Sequence, residues 1–173
     1  MYKFSLTLLS CLAIAGSAFS ADVSGTIASL DSEDYELRKT ARFDLLKAIA
    51  DSSGGERAAI IAELHQSMTA GNSFATRDWS IRMLELFGDE SSVLRLAQLL
   101  KDTDPRVRDL ARIALQANPS EAATRVLQNA LAGVPLEQKG AILDAIAYRE
   151  DQGSVVAVTA LLESESEALA AKA

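Results

Sequence analysis

The sequence predicts an all-α protein in which about four to five helix pairs stack into an α-α superhelix. Three observations predict it. β-branched and aromatic alternation is nearly absent, while alanine, leucine, glutamate and arginine, all good helix formers, dominate. Apolar residues recur at spacings of three and four between short capping sequences. The resulting helices repeat at an offset of 31 residues, which marks a repeat architecture.

The clearest helix is Asp104–Asn118. Pro105 at the first helical position has no amide hydrogen to lose, and its φ is already helical. Asp104 before it can cap the free amides at the positive end of the helix dipole. Val107, Ala111, Ala114 and Leu115 then share one face, and its two alanines allow another helix to approach closely.

In chain order, residues 1–20 predict a cleaved export signal. Lys3 supplies a positive charge, Phe4 to Ala15 is an apolar run of twelve residues, and Ala18-Phe19-Ser20 offers small residues for cleavage. Twelve residues are too few to cross a bilayer core. Leu8-Leu9-Ser10-Cys11 loosely resembles a lipobox, but the apolar run continues past the cysteine to Ala15. The mature chain is therefore expected to begin at Ala21 and to hold no cysteine. Loss of Lys3 takes the net charge from −7 to −8. An acidic chain without a basic block is a poor candidate for nucleic acid.

Residues 21–30 form a lead-in without a structural assignment, and the repeat domain is expected over 31–173. Asp31-Ser32-Glu33-Asp34 caps a helix to about Ala50, which ends at Gly54-Gly55, two glycines able to take positive φ. Further helices are expected from Glu56 to about Thr69, from about Phe74 to Phe87 closed by Gly88, and, capped by Asp89, through Ser92 to Lys101. Asn118-Pro119-Ser120-Glu121 reads as a cap with asparagine at the N-cap, and its helix ends near Gly133. Pro135 opens a helix to about Tyr148. Another is expected over Ser154–Leu162, and a last one from Ser166 that breaks off after two turns, as in an array incomplete at its C-terminus.

The 31-residue offset places Ser80, Met83 and Leu84 on Ala111, Ala114 and Leu115, and these on Ile142, Ala145 and Ile146. Partner helices keep step: Leu96, Leu99 and Leu100 fall on Leu127, Ala130 and Leu131, then on Val158, Leu161 and Leu162. Asp34, Leu37, Arg38, Ala41, Arg42, Phe43 and Leu45 align with Asp104, Val107, Arg108, Ala111, Arg112, Ile113 and Leu115, although Arg38 precedes Arg77 by 39 residues. The motif Leu99-Leu100-Lys101-Asp102-x-Asp104-Pro105-x-Val107-Arg108-x-x-Ala111-x-x-Ala114-Leu115 resembles a HEAT repeat. The short period is similar to the compact HEAT-like subclass named after phycobilisome lyases. Pro135 and Ser73 depart from the acid of the motif, and Ala170 from its arginine.

The resemblance implies a solenoid in which the acid and arginine of each motif tie neighbouring repeats together. Asp104 and Arg108 also form an acid-first i, i+4 pair. Arg38, Arg77 and Arg108 are thus expected to be structural ties rather than a basic binding surface. His65 is the only histidine, which excludes a His-pair metal site and a conventional Ser/His/Asp triad. The acid pairs fall at helix starts, where caps account for them, and Gly54-Gly55 lacks the lysine of a phosphate loop. No catalytic residue, metal site or cofactor is expected. Trp79, the only tryptophan, suits either packing between repeats or anchoring a partner. Arg106, Asp109 and Arg112 avoid the buried face of their helix, as Arg82 does on the helix before, and with Trp79 they are the candidate protein-binding residues. The expected function is a non-catalytic, periplasmic or secreted scaffold that binds another protein. Its alternatives are a bilin-lyase-type or accessory subunit of an enzyme complex and a structural envelope element.

Overall fold

The computed structural model describes residues 22–149. The export segment, the helices expected over Ser154–Leu162 and from Ser166, and the repeat positions they carry lie outside the described residues. Every regular element among the described residues is helical: α1 (22–28), a 3-10 turn (Ser29–Asp31), α2 (Tyr35–Asp51), α3 (Gly54–Ser67), α4 (Phe74–Phe87), α5 (Glu90–Leu99), α6 (Pro105–Ala117), α7 (Glu121–Gly133) and α8 (Leu136–Tyr148). They divide into two compact units whose boundary falls between Ser80 and Ile81, inside α4.

In the first unit, the lead-in is itself helical, because Val23, Ile27 and Leu30 bury one face at spacings of four and three. The Asp34 carboxylate caps α2, accepting the amides of Glu36 at 2.8 Å and Leu37 at 3.4 Å. Ala41, Leu45 and Ile49 of α2 and Ile60, Ile61 and Leu64 of α3 are buried. Of the two glycines that open α3 only Gly54 takes positive φ, at 52°. Leu37 also departs from expectation: Val107, its repeat counterpart, is fully buried, whereas Leu37 is 55% exposed.

Ser73 stands where other repeats carry an acid, and the structure supplies that acid from elsewhere. Asp31 accepts hydrogen bonds from the Ser73 hydroxyl and, at 2.7 Å, from Thr76 Oγ1. Ser73 Oγ in turn accepts the Thr76 amide at 3.2 Å. The first turn of α4 therefore has both its cap and a negative charge at the positive end of the dipole. Asp31→Ala is expected to cost about 1–2 kcal/mol, read as a lower urea midpoint, and an unchanged midpoint would refute the cap. Deeper in this unit Ser67 donates to Ser80 Oγ at 2.7 Å, and Ser80 donates to the Thr76 carbonyl at 2.8 Å. That chain satisfies a serine buried in the slot that Ala111 fills elsewhere.

In the second unit, α5 packs on α6 and α7, α6 on α7 and α8, and α7 on α8. The α5–α7 and α6–α8 contacts join helices one repeat apart, which is the stacking of a superhelix. Met83, Leu84, Leu96, Ala111, Ala114, Leu115, Leu127, Ala145 and Ile146 are all at most 2% exposed. The repeat register is therefore the register of the core. Gly88 closes α4 for a steric reason: a Cβ there would lie 2.3 Å from the Leu84 carbonyl oxygen.

The cap of α7 differs from expectation. Ser120 is the N-cap, accepting the Ala122 amide at 3.1 Å. Asn118 is 1% exposed; its Oδ1 accepts the Ser120 amide at 3.0 Å and its Nδ2 donates to the Asp89 carbonyl at 2.9 Å. That second bond holds the side chain away from the amides it would have to cap. Arg149, which the repeat pattern does not mark, donates to the carbonyls of Leu115, Gln116, Asn118 and Ser120 and to Thr124 Oγ1.

Candidate functional site

The motif arginines are occupied by backbone. Arg38 Nη1 donates to the Ser32 carbonyl at 2.7 Å and the Glu33 carbonyl at 2.9 Å. Arg108 Nη1 repeats this on Asp102, at 2.8 Å, and Thr103, at 3.2 Å, the same positions relative to its own helix. Buried Arg77 donates through Nε to the Met68 carbonyl at 3.0 Å. These residues are structural, but Arg38 and Arg108 brace the loop that enters their own helix rather than a neighbouring repeat. The Asp104 carboxylate accepts from Arg106, from Nη2 at 2.7 Å and from Nε at 3.1 Å. That hydrogen bond raises the pKa of Arg106 above its ordinary value.

Of the five candidate binding residues, the structure brings Asp109 and Arg112 together. Arg112 donates from Nε and Nη2 to Asp109 Oδ1, at 3.0 and 2.8 Å, and from Nη1 to Gln116 Oε1 at 3.0 Å. Both line a groove of about 250 Å³ between α6 and α8, with Pro105, Arg108, Gln138 and Ala141. Arg106 is exposed at the start of α6 and Arg82 is exposed on α4; neither lines this groove.

Trp79 lies in the first unit, half-buried, with the Arg42 guanidinium carbon 5.3 Å from its ring centroid. It lines a second groove of about 340 Å³, whose other walls are Tyr35, Arg38, Lys39, Arg42, Phe43 and Leu46. Those six residues recur at three and four along α2 and form one stripe. Sequence reasoning identified only Trp79 here. The two grooves occupy equivalent places: Arg38, Lys39 and Arg42 align with Arg108, Asp109 and Arg112, and two steps of 31 carry Trp79 to Ala141.

The comparisons with known proteins agree with this geometry. Residues 61–137 match the family of HEAT repeats. The HEAT-like repeats shown by that match are those of residues 61–137. Among solved structures, a chain in the complex of CpcE and CpcF of phycocyanin lyase from Nostoc sp. PCC7120 superposes with a TM-score of 0.54 at 21% identity. The match covers 85% of this chain and 60% of that one, and the likeness is one of fold. An engineered protein is similar at 22% identity and a TM-score of 0.44, over 87% of this chain and 76% of its own. No curated protein matches. Among the described residues no helix is long and apolar enough to cross a membrane, and no group of three His, Cys, Asp or Glu side chains could hold a metal ion.

Proposed function

We propose that this HEAT-like protein is an exported, non-catalytic scaffold whose outer helix stripes hold another protein. The observation that carries the reading is the separation of tasks on α6. Val107, Ala111, Ala114 and Leu115 are fully buried in the stack, and Arg108 braces the incoming loop. Asp109 and Arg112 lie on the groove side, with Asp109 59% exposed. Arg112, at 17% exposure, is the inner member of this ion pair, and Asp109 turns its carboxylate to solvent, where a partner can reach it. Export rests on the charge, apolar run and small residues of the first twenty positions.

The test is capture from an envelope fraction by the purified chain, followed by the charge-swapped variant Asp109→Arg/Arg112→Asp. A specific partner that wild type retains and the equally stable variant loses supports the α6 groove as the binding face. Equal capture by both moves the interface elsewhere. Turnover of any substrate by the purified chain alone would overturn the non-catalytic reading and favour an enzyme subunit.

A further inference from the structure

The two equivalent grooves of this fold carry different charge, because Lys39 stands where the other has Asp109, and the exchange leaves one guanidinium without its acceptors. In the second unit Arg112 is tied to Asp109 and Gln116. The same repeat positions in the first unit are Lys39 and Leu46. Arg42, the counterpart of Arg112, has therefore lost both of its internal acceptors. It donates no hydrogen bond among the described residues, its Nε is buried without a partner, and its contact is the face of Trp79. The buried indole Nε1 of Trp79 likewise has no acceptor.

Around this guanidinium stand Arg38 and Lys39, and no carboxylate lines the groove. Lys39 pairs with Glu36 at 3.2 Å, and both side chains are exposed. Three cations thus gather on a chain whose net charge is −7. Tyr35 and Phe43, 62% and 64% exposed, add aromatic surface on either side of them. Tyr35 to Leu46 covers about 16 Å of helix, the span of roughly five residues of extended chain.

We infer that the α2–α4 groove binds a short acidic peptide segment of a partner. A carboxylate would take the open donors of Arg42 in the forked geometry that guanidinium favours, and an apolar side chain of the peptide would rest among Tyr35, Phe43 and Leu46. The inference rests on the scaffold reading and adds the chemistry of one partner segment. It is read by an experiment separate from capture at α6.

Trp79 is the only tryptophan in the chain, so its emission reports on this groove. The probe is a synthetic peptide, Glu-Leu-Glu-Phe-Glu, titrated into the purified full chain at low salt. Saturable change in emission is expected, with the glutamine isostere Gln-Leu-Gln-Phe-Gln at least about tenfold weaker. Arg42→Gln and Lys39→Glu should each weaken binding about tenfold or more, and Arg112→Gln should leave it unchanged. Lys39 is exposed, so its variant tests the site even if Arg42→Gln folds poorly. Equal binding of the glutamine peptide, wild-type affinity in Lys39→Glu, or no saturation by about 1 mM would each overturn the inference. An emission change with anionic lipid vesicles and none with the peptide would overturn it in favour of a membrane surface. If the peptide fails while the α6 face still captures its partner, the scaffold reading stands and the groove assignment falls.

Discussion

Ala111→Arg is expected to abolish the cooperative unfolding transition or to lower its midpoint by about 10 °C or more. Ala111 is fully buried, on the face where α6 meets its neighbours, and Ala114 one turn on is equally closed. Overpacking a closed helix contact costs about 1–3 kcal/mol. An unpaired buried charge costs several kcal/mol more. At about 2–4 °C per kcal/mol for a chain of this size, the two together lower the midpoint by about 10 °C or more, and they consume most of the stability of a domain near the low end of the ordinary range. Because each repeat contacts only its neighbours, the damage should spread along the stack rather than stay local. Thermal melting followed by far-ultraviolet circular dichroism measures it. Arg125→Ala is the control: Arg125 is 62% exposed and reaches Glu121 only at 3.7 Å, so its midpoint should stay close to wild type. Wild-type melting of Ala111→Arg would mean that the repeat register is misplaced.

The repeat register was legible because its causes are local and periodic. Pro105 and Asp104 start α6, Gly88 ends α4, and the buried slot of Ser80, Ala111 and Ile142 recurs every 31 residues; α4 and α6 accordingly span Phe74–Phe87 and Pro105–Ala117. What the sequence did not disclose is the long-range polar pairing. Asn118 and Ser120 are both good caps, and the choice between them is made by the Asp89 carbonyl, 29 residues away. Asp31 completes a cap 42 residues downstream, at a position where the repeat appeared to lack its acid. Leu37 fits the buried pattern of Val107 but is exposed, because a pattern match does not specify what covers a face.

The candidate site was legible to a smaller degree. Asp109 and Arg112 were identified by their position off the buried stripe, which is enough to place them on a surface and not enough to show what that surface does. The signal for the α2–α4 groove was present in the alignment as two exchanges, Asp109 for Lys39 and Gln116 for Leu46. An exchange of charge at a repeat position carries meaning only when the geometry shows which side chain it leaves without a partner. Here that side chain is Arg42.

Arg149→Met is expected to destabilise the second unit by about 2–4 kcal/mol, a midpoint shift of about 5–15 °C. Its guanidinium reaches five oxygens: the carbonyls of Leu115 at 3.0 Å, Gln116 at 3.1 Å, Ser120 at 2.9 Å and Asn118, and the Thr124 hydroxyl at 2.8 Å. Leu115 and Gln116 lie in the last turn of α6, whose terminal carbonyls have no acceptor role within the helix and need an outside donor. A cation there also meets the negative end of the helix dipole. Three of the carbonyls share one nitrogen, so the contributions do not add as five independent bonds. Arg149→Lys separates charge from geometry, because an ammonium keeps the dipole interaction but cannot fork across the loop. An intermediate midpoint for lysine would assign the remainder to the fork, and a wild-type midpoint would assign the whole effect to charge. A methionine variant as stable as wild type would show that the tie contributes nothing. The residues held this way, Asn118 and Ser120, also carry the bond to Asp89 and the cap of α7. Arg149→Met and Asn118→Ala should therefore be non-additive when combined, since each loosens the loop on which the other acts.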